Sequence, residues 1–235
     1  MLEIKNIVKK YGSKVIIDNL QASFSETGVS LLVGINGSGK TTLFHMLSNL
    51  IEPDTGTITI DNYKYASKEY KSVLFYMPSD FFLPEYMTGQ EYASFILSHY
   101  QHSNRPLFDA IIGLLQLDKE IHNTIETYSF GMKKKLQVAL AISSNAKYIL
   151  LDEIFNGLDF ETTILIQEIF KELAKDRKLI IISHDSNTLN TFYEDIRLLQ
   201  RGQLTPYTGS PQELYNLIIK EGEIHEKLQE YKKYI

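Results

Sequence analysis

The sequence predicts an α/β fold built on a largely parallel sheet covered by helices. Three observations carry that prediction. Short apolar runs such as VSLLV (29–33), YILLD (148–152) and KLIIIS (178–183) have the pattern of strands buried on both faces. Segments with helical spacing alternate with such strands in the second half of the chain, as parallel strands with helical crossovers require. The stretch GINGSGKTT (34–42) lies between one of these strands and a helix, where a phosphate-binding loop belongs.

The elements follow in order. LEIKNIV and KVIIDNLQASF alternate loosely on either side of YGS, a turn signal. Leu43, Phe44, Met46, Leu47 and Leu50 recur at helical spacing, which gives a helix over Thr41–Leu50. GTITIDN and SVLFYM read as further strands and complete a β-rich part over 1–78. A helical part follows over 79–144, with helices expected at Tyr92–Tyr100, Leu107–Leu117 and Lys133–Ser143. Over 145–215 strand YILLD, a helix at Glu161–Ala174, strand KLIIIS, a short helix at Ser186–Tyr193 and a closing hairpin IRLLQRGQLTPY return to the α/β pattern. The tail over 216–235 reads as helical and amphipathic, with charged residues at its end.

Composition narrows the function classes. At 235 residues, 43% hydrophobic and 23% charged, the chain has the balance of a globular protein with a sizeable core. Its net charge of −5, without a long basic block, argues against a nucleic-acid binder. With no cysteine, a disulfide framework and a cysteine-based zinc site are excluded. The N-terminus has no apolar signal-like core, and no apolar run approaches the ~18 residues that span a bilayer. Direct membrane insertion is therefore not expected, and any membrane role must come through a partner.

GINGSGKTT matches G-x-x-x-x-G-K-[ST]. Gly34, Gly37 and Gly39 allow the backbone to turn tightly and present its N–H groups, with those of Asn36 and Ser38, to phosphate oxygens. The following helix start favours the anion. Lys40 supplies positive charge to β- and γ-phosphates, and Thr41, next to Thr42, offers a hydroxyl to Mg²⁺. YILLDE (148–153) ends an apolar strand in two acids: Asp152 can hold the Mg²⁺ shell and Glu153 can act as general base toward water. The plainer reading is a pair of solvated acids at a strand end. IIISHD (180–185) puts His184 at the end of another buried strand, where ligands gather in parallel sheets.

Taken together, these residues make the chain, over roughly 1–215, resemble the ATP-binding subunit of an ABC transporter. GINGSGKTT is similar to the family's Walker A motif and YILLDE to Walker B with its catalytic glutamate. NGLD (156–159), ending in Asp159, resembles the D-loop; His184 resembles the switch histidine, and Tyr11 the aromatic that stacks on adenine. YSFGM (128–132) stands where the family has its signature, with Ser129 and Gly131 at the positions that reach a γ-phosphate held by a second subunit. The resemblance implies a P-loop ATPase of ABC type: an N-terminal antiparallel β subdomain, a parallel-sheet core and a helical signature subdomain. It implies ATP and Mg²⁺ as cofactors, a second ATPase subunit and a transmembrane permease as partners, and a cytoplasmic position on the inner membrane face through that permease. Y-S-x-G-M followed by basic residues resembles a bacterial exporter branch handling drugs, antibiotics, peptides or lipids.

Two departures from the family pattern stand out. Phe130 is bulky where the family often has no side chain, and Ser79 in VLFYMPSD stands where the family has a glutamine that contacts Mg²⁺. Serine is shorter and can reach a metal only through water. These departures motivate a second class of function, an ATP-gated regulatory module with little turnover. Lys133, Lys134 and Lys135 sit at a helix N-terminus, the wrong end of its dipole for cations. A phosphate on a second copy accounts for them; a solvated face is the plainer reading, preferred for at least two of the three. DFFLPEYMTGQEY (80–92) reads first as helical-subdomain core and second as a groove for a helix of the membrane partner.

Overall fold

A computed structural model of the chain describes residues 1–80, 83–221 and 231–232. In chain order the first part carries β1 (Leu2–Tyr11), β2 (Lys14–Phe24), β3 (Gly28–Val33), α1 (Lys40–Leu47), β4 (Thr55–Ile60), β5 (Tyr63–Lys64), α2 (Lys68–Ser72) and β6 (Leu74–Met77). The middle is helical among the described residues: α3 (Gly89–Ser98), α4 (Arg105–Leu114), a 3₁₀ turn (Ile125–Thr127) and α5 (Phe130–Ser143). The last part returns to α/β, with β7 (Tyr148–Asp152), α6 (Phe160–Leu173), β8 (Lys178–Ile182), α7 (Ser186–Thr191), β9 (Ile196–Gln200), β10 (Gln203–Tyr207) and α8 (Pro211–Glu221).

Two sheets form. One is antiparallel, in the order β2-β1-β4-β5. The other runs β10-β9-β3-β8-β7-β6 and is parallel except for the β9–β10 hairpin. Strand alternation explains why the central strands read as unbroken apolar runs. Tyr148 and Leu150 of β7, with Ile180 and Ile182 of β8, enter a core shared with the antiparallel sheet and α1. Ile149, Leu151, Leu179 and Ile181 point the other way, into a core shared with the helices. The parallel strands β3, β7, β8 and β6 therefore bring GINGSGKTT, Asp152–Glu153, His184 and Ser79 to one sheet edge.

Several boundaries differ from the expectations. The first helix stops at Leu47, and Asn49 adopts a left-handed φ of 58°. Leu50 is then 64% exposed, outside the helix whose apolar stripe it resembled. The short β5 and α2 had no periodicity long enough to show. α5 begins at Phe130, three residues before the lysine where it was expected, because Ser129 accepts the Met132 N–H at 3.2 Å and caps it.

The lysine run is not a solvated face. The side chain of Lys133 reaches Glu85 at 2.9 Å, and that of Lys135 lies 3.9 Å from Asp159. Lys134 is fully buried, with its ammonium donating to the Glu153 carbonyl at 3.1 Å. Successive helical residues point about 100° apart, and this helix start is packed on several sides, so each lysine finds a different partner within its own chain. The solvated-face reading gives way to these contacts. In the aromatic segment Leu83 is buried and Tyr92 packs against the core, as the first reading had it, whereas Tyr86 is 82% exposed. Phe81 and Phe82, and the tail from residue 222 apart from 231–232, lie outside the described residues.

Candidate active site

The GINGSGKTT loop leaves β3 and enters α1 through Gly39, whose φ of 103° suits only glycine. A Cβ at Gly39 would also come within 2.8 Å of Ile16 Cγ2, so the loop and β2 can approach closely only without a side chain there. Lys40 opens α1 and is largely buried; its ammonium donates to the carbonyls of Gly34 at 2.8 Å and Ile35 at 3.0 Å. Burial pulls its pKa below the ordinary lysine value, against the pull of Glu153 and Asp152. The Ser38 hydroxyl is buried and has no hydrogen-bond partner among the described residues. A buried, unsatisfied donor in such a loop suits an anionic ligand.

Asp152 closes β7, almost fully buried, and the Thr41 hydroxyl donates to its carboxylate at 3.1 Å. These are hard oxygen donors. Among the described residues no group of three or more acidic or histidine side chains is arranged to hold a metal ion by itself. One carboxylate beside a hydroxyl fits Mg²⁺, which takes one or two carboxylates and completes its shell with phosphate oxygens and water.

Glu153 follows with a left-handed φ of 49°, a conformation that costs a non-glycine residue about 1–3 kcal/mol. Burial, and then the charge of Asp152, push its carboxyl pKa above the ordinary range; Lys40, Lys134 and a hydrogen bond from Asn156 pull the other way. The Asn156 amide donates to its Oε2 at 3.4 Å. His184 Nε2 lies 3.6 Å from Glu153 Oε1. Burial, and then the Lys40 charge, lower the His184 pKa, which favours the neutral ring.

A cleft of about 450 Å³ gathers most of the expected residues: Tyr11, Asn36, Gly37, Gly39, Lys40, Thr41, Thr42, Ser79, Asp152, Glu153 and His184. Tyr11 is 53% exposed at its mouth, a surface ready for a planar group. Ser129, Gly131 and Asp159 do not line it. Asp159 caps α6 instead, accepting from the Thr162 N–H at 2.8 Å and from its hydroxyl at 2.7 Å. Lys14, Ile16 and Ile182 line the cleft without having been singled out from sequence. The alternation of β2 was the available signal for Ile16.

Residues 17–156 match the family model described as ABC transporter. Among curated proteins, the Bacillus subtilis "Uncharacterized ABC transporter ATP-binding protein YhcH" is 29% identical, over 87% of this chain and 68% of that protein. The "Petrobactin import ATP-binding protein YclP" of the same organism is 25% identical, over 94% and 91%. The "Spermidine/putrescine import ATP-binding protein PotA" of Pasteurella multocida is 29% identical, over 92% and 60%. Relatives named for import stand among these, so the match does not fix the exporter branch. The solved "Structure of ATP binding subunit of ABC transporter" superposes with a TM-score of 0.85 at 22% identity, covering 93% of this chain and 99% of that one. A dimeric ATP-binding cassette, MJ0796, described as bound to ADP and Pi in a post-hydrolysis state, gives a TM-score of 0.76 at 22% identity, over 89% and 100%. At these identities the superpositions speak for the fold. With the family model covering more than half the sequence, the chain belongs to the ABC transporter family, as an ATP-binding domain.

Proposed function

We propose that the chain binds and hydrolyses ATP as one of a pair of ATPase subunits and so powers a separate transmembrane permease. The observation that supports this best is the convergence at one sheet edge of a phosphate loop with an unsatisfied Ser38 hydroxyl and the partly buried carboxylate of Glu153. The adenine would lie on Tyr11, and the phosphates on the loop N–H groups, Ser38 and Lys40. Thr41 and Asp152 would hold Mg²⁺, with Ser79 at the cleft wall reaching it through water. When bound, Mg²⁺ neutralises charge on the β- and γ-phosphate oxygens. Glu153 would take a proton from water as the water oxygen bonds to the γ-phosphorus and the bond from that phosphorus to the β–γ bridging oxygen breaks. His184 would donate a hydrogen bond to the γ-phosphate. The products are ADP and phosphate.

Ser129 and Gly131 lie outside this cleft, which supports their serving a nucleotide held by a second chain. The Ser129 oxygen accepts its capping N–H, and its proton is still available to donate. No described helix is long and apolar enough to cross a membrane, so the pair would reach the cytoplasmic face through its permease. A cleft of about 350 Å³ lined by Phe75, Tyr92, Phe95 and Tyr100, beside Pro78, supports docking of the permease there. Export is the direction favoured by the YSFGM spelling.

The test is steady-state ATP hydrolysis by the purified chain and its Glu153→Gln variant. Turnover should fall by about 10²–10⁴-fold with nucleotide binding retained. Near-wild-type turnover in the variant would remove Glu153 from the role of base. Negligible turnover in the wild type, alone and with its permease, would favour the regulatory module. Cargo flux in inside-out vesicles, inward for an exporter, tests direction.

A further inference from the structure

Two residues of α5, one helical turn apart, touch the loop that follows β7. The Phe130 ring lies against Gly157, where a Cβ would overlap it. Four residues on, Lys134 is 0% exposed and donates from its ammonium to the Glu153 carbonyl at 3.1 Å. Residues i and i+4 share a helix face, so one face of α5 grips both ends of the segment from Glu153 to Gly157. Glu153 is held from the other side as well: its N–H donates to the Ile182 carbonyl of β8 at 3.0 Å. The peptide with φ of 49° is thus fixed at its donor by one element and at its acceptor by another. A buried lysine is rare unless paired, and here the acidic groups of Asp152, Glu153 and Asp80 offset part of the burial.

We infer that Lys134 is a positioning residue for hydrolysis: its hydrogen bond to the Glu153 carbonyl holds that residue in its left-handed conformation and keeps the carboxylate directed into the cleft. The same bond makes the aim of Glu153 depend on the seating of α5, the helix capped by Ser129. A shift of α5 away from the β7 exit would break the bond and release the glutamate main chain. This inference rests on Glu153 being the general base.

The experiment compares ATP turnover and ATP affinity in wild type, Lys134→Met and Lys134→Gln, and repeats Lys134→Met in the Glu153→Gln background. Misplaced catalytic groups can lose about 10²-fold. Lys134→Met should therefore lower kcat by roughly ten- to a hundredfold with ATP affinity within about twofold of wild type. Lys134→Gln keeps a donor and should recover most of that loss. In the Glu153→Gln background, Lys134→Met should cost nothing further, because both changes act through one group. Wild-type turnover in Lys134→Met would overturn the inference. So would a parallel loss of affinity, a glutamine variant as slow as the methionine one, or an additive loss in the double variant. Failure of Lys134→Met to fold would also overturn it, assigning the lysine a structural role. All of these leave the hydrolytic reading standing, whereas a wild type without turnover would remove that reading and this inference together.

Discussion

Lys40 is the residue on which nucleotide retention should depend. Its ammonium now satisfies two carbonyls of its own loop, which folds it over the space where β- and γ-phosphates would sit. Lys40→Ala should weaken ATP binding by more than tenfold, since charge-assisted contacts to phosphate contribute about 1.5–3 kcal/mol each; isothermal titration checks it. Asp152, Glu153 and His184 were legible in the sequence because each stands at or just after the end of an apolar run short enough to be a buried strand, and parallel strands present their C-terminal ends together. Lys40 was legible through the spacing G-x-x-x-x-G-K-[ST], seven residues past such a strand. Lys134 was not legible. Its partner carbonyl is 19 residues away on another element, and a lysine inside a lysine run looks like surface. Lys14 was hidden in the same way, as a turn-flanking charge beside a strand.

At the scale of elements, the motifs at the cleft and near it are also helix starts. Ser129 caps α5, Asp159 caps α6 and Asp185 caps α7, each accepting a backbone N–H of the first turn. A residue in such a place carries folding energy as well as any contact with ligand. Asp159→Ala should therefore lower stability by about 1 kcal/mol, a fall in Tm of roughly 2–4 °C for a domain of this size. Calorimetry without nucleotide would check it, and an unchanged Tm would show that the aspartate does nothing for α6. Ser129 is such a cap, set by a rule that is local in sequence. The three-residue error in where α5 begins came from starting the helix at Lys133, inside the lysine run, and not at the residue after the cap. Capping decided the boundary, not charge preference at the dipole, because the lysines found acceptors beyond their own helix.

At the scale of the whole molecule, sequence reading recovered the parallel core because its strands are apolar on both faces, and no other common element has that pattern at that length. It could not show the order β10-β9-β3-β8-β7-β6, since crossovers that place β3 between β8 and β9 leave no mark in periodicity. That order puts the phosphate loop, which leaves β3, in the middle of the sheet edge, and Ser129 does not line the cleft formed there. A closed site would need a second copy or a related subunit. The 27.0 kDa Glu153→Gln variant, which should hold ATP without consuming it, should therefore double its mass in light scattering with ATP and Mg²⁺ and remain monomeric with ADP. The difference is expected because only ATP has a γ-phosphate for the Ser129 hydroxyl and the α5 N-terminus of the other chain to meet. Phe130 is the local obstacle: half exposed beside Ser129, its ring already rests on Gly157. If that contact holds the ring clear of the approaching phosphate, the dimer forms. If the variant binds ATP and still weighs as a monomer, the ring blocks the cap or the permease must supply the closure, and Phe130→Gly separates the two by restoring dimerisation only in the first case.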